Sequence, residues 1–358
     1  MSLSIGIVGL PNVGKSTLFN ILTKGNILAA NYPFTTIEPN TGIVTVPDER
    51  LAKLAAIYKS QKIIPAIIKF IDIAGLVSGA SKGEGLGNKF LANIRDCQVI
   101  VHVVRAFNSK DVIHITDEIN PKSDIEIINT ELILADLDTL ENRISKLMRE
   151  AKSDTKVLVQ IETLKQLKTD LESGQLINQN QALNIELIQD MNLLTAKPVI
   201  YLFNLSEDDL TNSDKIAGLN TLTVGSPAVF VAIKLEDELK SLADEEADEL
   251  LESYGIKESG LNQLVKAAYK LLGLQSFLTT GPDETRAWTI KEGSTAPQAA
   301  GQIHTDFERG FIAAQIIDYN DLVLYGSESK AKEAGKVRTE GRDYIMKPND
   351  VVEFRFNV

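Results

Sequence analysis

The sequence predicts an α/β protein with a doubly wound, mostly parallel sheet, and three observations carry that prediction. Apolar runs of strand length recur with helical patterns between them: "LSIGIVG", "NTGIVTV", "IIKFIDIAG", "CQVIVHVVRA", "PVIYLFN" and "AVFVAI". Their hydrophobicity is continuous rather than alternating, the mark of strands buried on both faces under helices. The first run leads through a glycine-rich loop directly into the helical pattern "TLFNILTK", the strand–loop–helix unit of such a sheet. At 358 residues, 44% hydrophobic and 24% charged, the chain is ordinary soluble material and long enough for two or three domains.

Composition narrows the function classes. No run of about 18 uncharged apolar residues occurs, so no membrane partner is expected. The opening reaches its glycine-rich loop too soon for a secretory signal, which points to a cytoplasmic protein. The lone cysteine, Cys97, excludes an internal disulfide and reads as a small apolar residue opening a buried strand. A net charge of −12 argues against a surface that binds nucleic acid everywhere. The charge is uneven, however. Acidic residues crowd into 236–252, whereas 143–168 carries Arg143, Lys146, Arg149, Lys152, Lys156, Lys165 and Lys168, and a second basic set comprises Lys330, Lys332, Lys336, Arg338, Arg342 and Lys347. Either set alone reads as a solvated face; together, outside an acidic core, they favour a polyanionic partner.

Taken in order, the first strand ends in "GLPNVGKST", which fits G-x-x-x-x-G-K-[ST] with Gly9, Gly14, Lys15 and Ser16 at the fixed positions. Glycines let backbone N–H groups from Asn12 and Val13 through Gly14 to Thr17 turn onto phosphate oxygens at a helix N-terminus. Lys15 then reaches the terminal phosphates and Ser16 binds Mg²⁺. "YPFTTIEP" supplies Thr35 and Thr36 in a loop suited to close over the metal, with Thr36 as the metal contact. "DIAG" ends a strand with Asp72, for the water shell of Mg²⁺, and adds Gly75, whose N–H senses a γ-phosphate. Leu76 stands where many GTPases carry a water-orienting glutamine. Either the nucleotide is not hydrolysed or another group positions water. Five glycines lie from Gly75 to Gly87, Gly79 and Gly83 among them, so this segment reads as a switch loop. Asn12 is a candidate ligand for a monovalent cation such as K⁺. His114 follows a strand end, the ligand side of such sheets, although a loop histidine is more often a surface residue; His102 reads as core.

Between 124 and 195 the pattern is helical. Ile133, Leu137, Leu140, Ile144, Leu147 and Ala151 are spaced by fours and threes, and Val157, Ile161, Leu164 and Leu171 continue the seam after Ser153. This reads as an inserted coiled-coil hairpin or as one long packing helix. "NLSE" then occupies the place of the guanine-reading NKxD, with Asn204 kept, Leu205 replacing lysine and Glu207 replacing aspartate. Adenine lacks the N2 amine of guanine and carries an acceptor at N1, so a carboxylate aimed there gains nothing. Asn204 still suits N7, shared by both purines. "SGLNQLVKAAYKLLGLQSF" reads as an amphipathic helix, and a β-rich unit follows with strands at "RAWTI", "GFIAAQII" and "DVVEFRFNV" and a helix at 296–303.

The stretches "GLPNVGKSTLFNILT", "NYPFTTIEPNTGIVTVPDERL", "DIAGLVSGASKGEGLGNKFL", "DIEIINTELILADL" and "GPDETRAWTIKEGSTAPQAAGQIHTDFERGFIAAQI" together resemble the YchF, or Obg-like ATPase, family of P-loop proteins over nearly the whole chain. The resemblance implies a P-loop NTPase domain at 1–123 and 196–278, a helical coiled-coil insertion at 124–195, and a C-terminal TGS domain of ubiquitin-like β-grasp type at 279–358. It also implies ATP hydrolysis in preference to GTP despite Leu76, Mg²⁺ as cofactor, and association with the ribosome, the large subunit and its RNA being the expected contacts. His114 becomes a catalytic candidate beside Lys15. Two departures stand out. Asn120 replaces an aspartate before proline, and Ala232 stands where a hydroxyl residue commonly lines the base pocket, leaving that contact to backbone atoms. The expected protein is a monomeric, ATP-dependent switch. The alternatives are a nucleotide-gated ribosome- or RNA-binding module with incidental turnover, and a GTPase of the Obg type; a P-loop kinase lacks a visible acceptor domain.

Overall fold

Every residue of β1 (Ser4–Val8) is buried, as the central strand of a covered sheet must be. The computed structural model describes residues 3–23, 40–73, 86–108, 119–150, 155–180 and 187–357. The chain divides into two compact units, Met1–Ile43 with Lys69–Leu264 and Val44–Ile68 with Val265–Val358. After β1 come α1 (Lys15–Thr23), β2 (Thr41–Thr45), α2 (Glu49–Tyr58), β3 (Lys62–Ile64), β4 (Ile67–Asp72), α3 (Leu86–Asp96), β5 (Val99–Arg105), α4 (Pro121–Glu150) and α5 (Thr155–Glu172). Next are β6 (Val199–Asn204), α6 (Ser213–Asn220), β7 (Ala228–Val231), α7 (Ile233–Leu239), α8 (Asp244–Ser253) and α9 (Gly260–Leu271). The remainder comprises β8 (Leu274–Thr280), β9 (Glu284–Lys291), α10 (Ala296–Ile303), β10 (Phe311–Asp318), β11 (Arg338–Glu340) and β12 (Asp350–Phe356), with short helices among them.

The expected sheet is present, in the order β2-β4-β1-β5-β6-β7, and every pairing from β4 to β7 is parallel. Its direction of winding reverses between β1 and β5, so the ligand crevice lies outside the carboxyl ends of these strands. The residues beyond those ends are the ones the sequence singles out: Gly9 to Thr17 after β1, and Leu205 to Glu207 after β6. All of β5 and β6 is buried, and Cys97, fully buried just ahead of β5, has its thiol pushed up to about 11 by that burial.

Helix α4 begins where Asn120 Oδ1 accepts the Ser123 N–H at 3.1 Å and Pro121 occupies the first turn. Asparagine caps as well as the aspartate it replaces, so that departure costs nothing here. Along α4 and α5, Leu140, Leu147, Ile161, Leu164 and Leu171 are buried in one cluster with Ile133, Leu137, Ile144 and Val157 against it. The same cluster takes in Ile177, Ile188, Met191 and Leu193, so the returning chain packs on the helices too. Asp136, fully buried, fastens that return by accepting from the Leu194 and Thr195 N–H groups and the Thr195 hydroxyl at 2.7–2.9 Å.

The second unit has its own sheet, ordered β11-β10-β12-β8-β9-β3. Helix α10 buries Ala296, Ala299 and Ala300 against Phe277, Ile290, Ala314 and Ile316; its small residues allow close approach to the sheet. The amphipathic helix read through "LQSF" ends earlier than expected. Gly273 takes φ +64, a left-handed position that stops α9, and Leu274 opens β8. The composition change near 279 therefore falls inside a strand. Residues 44–68 join this unit because β3 pairs with β9 in parallel register, Lys62 opposite Glu284, a pairing that composition does not register. Among the described residues no helix is long and apolar enough to cross a membrane.

Candidate functional site

The loop after β1 is shaped by backbone constraints before any ligand chemistry. Gly9 lies so close to β5 that a Cβ there would stand 2.7 Å from the Val103 carbonyl oxygen. Asn12 and Gly14 have φ of +64 and +98, left-handed positions that asparagine and glycine tolerate best. Val13 turns its side chain into the core, which leaves its peptide group lining the loop. Helix α1 then starts with the Leu18 N–H donating to the Gly14 carbonyl at 2.8 Å. Its first turn carries no acidic residue, so the positive end of the dipole is available to an anion. Ser16 and Thr17 are exposed there.

Lys15, only 8% exposed, places Nζ 2.6 Å from Asp72 Oδ1 at the end of β4. The two side chains assigned to phosphate and metal thus neutralise one another across the crevice. A hydroxyl at Ser16 and a carboxylate at Asp72 are hard oxygen donors, and among the described residues no cluster of three His, Cys, Asp or Glu side chains forms a dedicated metal cage. That donor set fits Mg²⁺, which takes one or two protein oxygens and completes its shell with water and phosphate.

Asn204, at the end of β6 and 6% exposed, joins the phosphate loop to the base side. Its Nδ2 donates to the Val13 carbonyl at 3.0 Å and its Oδ1 accepts the Ile233 N–H at 3.2 Å. The same amide lies against Gly14, where a Cβ would come within 2.7 Å of Nδ2. The sequence assigned Asn204 to the purine; the fold adds this bracing role. Leu205 and Ala232 are buried beside it at 3% and 2% exposure, the Leu205 N–H donating to the Val231 carbonyl at 2.7 Å. Ala232 caps α7 without a side-chain bond. Glu207 opens a short 3₁₀ turn, and its carboxylate is met by Tyr254 and Lys234. Neither partner carried a signal in the sequence, since each meets Glu207 only through folding.

Thr35, Thr36, Gly75, Leu76, Gly79, Gly83 and His114 lie outside the described residues. His102 is core, as read: it is fully buried against Tyr201, and burial pulls its pKa down to about 3. The acidic stretch is not uniformly surface. Glu236 is buried and accepts from the Ser259 hydroxyl and the Gly260 and Leu261 N–H groups, which satisfies the first turn of α9.

The basic sets are partly spoken for. Arg143 pairs with Asp190, Lys165 with Glu162, and Lys168 with Glu141 and Glu172. Lys146 and Arg149 remain exposed on α4, as do Met148 on α4 and Leu158 and Val159 on α5. In the C-terminal set, Lys336 pairs with Asp321 and Arg338 with Glu340 and Asp350.

Residues 4–136 match a family described as 50S ribosome-binding GTPase, and residues 274–357 match the C-terminal family of YchF GTPases, described as a protein of unknown function. The ribosome-binding ATPase YchF of Shigella flexneri is 50% identical over 366 residues, covering 100% of both chains. That of Bacillus subtilis is 48% identical over 371 residues, again covering 100% of both. The solved structure of the Schizosaccharomyces pombe YchF GTPase superposes with a TM-score of 0.88 at 37% identity, over 99% of this chain and 98% of that one. The relatives' names divide between ATPase and GTPase, the question that Leu205 and Glu207 pose.

Proposed function

Because the chain belongs to the YchF family, we propose that it is a Mg²⁺-dependent nucleoside triphosphatase that prefers ATP to GTP and acts as a ribosome-associated switch. The observation that carries this reading is an intact phosphate loop, braced by Asn204, next to a base segment in which lysine and aspartate have become Leu205 and Glu207. The loop supplies phosphate binding common to all such nucleotides; the altered segment removes the donor and acceptor pattern that selects guanine.

In this reading the Lys15–Asp72 pair is a resting arrangement. Lys15 would pair with the phosphates of a bound triphosphate, and Ser16, Thr36 and Asp72 are the residues that would hold Mg²⁺. Mg²⁺ supplies neutralisation of charge on the β- and γ-phosphates. Gly75 senses the γ-phosphate, the loop around Gly79 and Gly83 reshapes with it, and His114 takes part in water activation in place of the group missing at Leu76. Asn12 joins K⁺ at the phosphates; equal rates in K⁺ and Na⁺ would remove it from that role. The protein is monomeric and cytoplasmic, its α4–α5 hairpin acts as a coiled coil, and its C-terminal unit is a TGS domain. Lys146 and Arg149, exposed on α4, face ribosomal RNA of the large subunit together with Lys152, which lies outside the described residues.

Side-by-side ATP and GTP titration of the purified protein, with and without ribosomes, tests the reading. Tighter ATP binding and phosphate release without an added acceptor are expected. Charge reversal at Lys146, Arg149 and Lys152 should weaken ribosome binding and flatten its salt dependence. A second reading, a nucleotide-gated binding module with incidental turnover, is favoured by the apolar Leu76. It would win if a Leu76 or His114 variant lost turnover but kept ribosome binding and cellular function.

A further inference from the structure

Glu207 stands three residues beyond Asn204, where a carboxylate can meet the N1–H and N2 amine of guanine. In the fold its carboxylate is engaged from elsewhere. The Tyr254 hydroxyl, at the C-terminal end of α8, donates to Oε2 at 3.4 Å, and Lys234 Nζ, in the first turn of α7, lies 4.0 Å from Oε1. Lys234 is 83% exposed, so water screens its attraction and the tyrosine bond fixes the direction. The tyrosine is itself held. Its ring packs with Leu210, Leu250 and Ile256 against the cluster of Ala232, Leu235, Leu239 and Leu251, which ties α8 to the turn that carries Glu207 and to the base-side residue Ala232. The charge of Glu207 also raises the Tyr254 pKa, so the phenol keeps the proton it donates.

We propose that Tyr254, with Lys234 in a lesser role, is a positioning residue for nucleotide specificity: it holds the Glu207 carboxylate off the base edge, so that guanine finds no acceptor and adenine meets no repulsion. The inference rests on the ATP-preferring reading above. It also gives the extra methylene of glutamate a purpose, since the longer side chain reaches α8 where aspartate is one carbon shorter. The acidic segment gains a role as well, because α8 delivers the tyrosine.

The test is Tyr254→Phe in the full chain, with ATP and GTP dissociation constants measured by titration of fluorescent nucleotides and thermal melting as the check on folding. Loss of the hydroxyl frees Glu207, so GTP should bind about fivefold tighter while ATP changes less than about twofold. Adding Glu207→Gln to the same chain should cancel the GTP gain, because no carboxylate remains to accept. A role in stability alone would weaken both nucleotides in parallel and leave their ratio fixed. An unchanged ratio in Tyr254→Phe overturns this inference while leaving ATP preference intact. If the unsubstituted protein prefers GTP, the ATP-preferring reading fails first and the inference with it.

Discussion

Replacing Asn204 by alanine should damage the phosphate loop without touching a phosphate contact. The amide joins two buried backbone groups, the Val13 carbonyl at 3.0 Å and the Ile233 N–H at 3.2 Å, in residues exposed by only 1% and 4%. Truncation leaves both without partners and opens a gap beside Gly14. A buried polar group left unsatisfied costs about 1–3 kcal/mol, so the loss should come to about 2–5 kcal/mol in the first unit. Trp288 is the only tryptophan and lies in the second unit, so its fluorescence is the wrong probe. Urea unfolding followed by far-UV circular dichroism, with hydrogen exchange of the α1 amides, reads the right unit. Binding of ATP should fall more than about tenfold, since the loop would adopt its phosphate-binding shape less often. Asn204→Asp should be at least as harmful: one oxygen still accepts from Ile233, but the other faces the Val13 carbonyl as an unpaired charge. Stability within about 0.5 kcal/mol of the parent, together with unchanged ATP affinity, would refute the bracing role.

Asp72→Asn should remove the anionic partner of Lys15 and the carboxylate proposed for Mg²⁺ together; the expected sign is a Mg²⁺ requirement for hydrolysis raised about tenfold, and an unaltered Mg²⁺ titration would count against Asp72. Asp136→Ala orphans the donors of Leu194 and Thr195 and should cost about 3–5 kcal/mol in urea unfolding; a cost below about 1 kcal/mol would mean that the return of the chain onto α4 is held by packing alone. His102 should make the first unit acid-sensitive. Its folded pKa of about 3 lies below the ordinary histidine value of about 6.5, so the unfolded chain binds the extra proton first. The contribution is complete above about pH 6.5 and is lost as pH falls towards 3, at about 1.4 kcal/mol per unit once the unfolded imidazole is charged. His102→Leu should flatten that slope between pH 6.5 and 5, and an identical slope in both proteins would show that other groups set it.

How much of the site was legible depended on whether a residue acts locally. Lys15 and Ser16 were singled out by spacing because a phosphate-loop motif is a contiguous chain segment. Asp72 stood out because it ends an apolar strand; its pairing with Lys15 appears only in the fold. The bracing by Asn204 was not legible, since its partners are 191 and 29 residues away. The charge runs misled in part. Composition counted Arg143, Lys168 and Arg338 as available cations, but their acidic partners face them only after the helices and strands pack. Glu236, counted in the acidic stretch 236–252, is buried as the cap of α9.

By itself the sequence determined the strands of the parallel sheet, the strand–loop–helix unit around "GLPNVGKST", the seam of α4 and α5, and the replacement of NKxD by "NLSE". Each of these depends on residue type at short spacing, where backbone geometry and hydrophobic period act directly. Only the tertiary structure decided that residues 44–68 join the C-terminal unit, that Asn204 clamps the loop, and that Glu207 is held by Tyr254 and Lys234. These depend on groups brought together from distant parts of the chain, and a carboxylate's role is set by the donors that reach it after folding rather than by its neighbours in sequence.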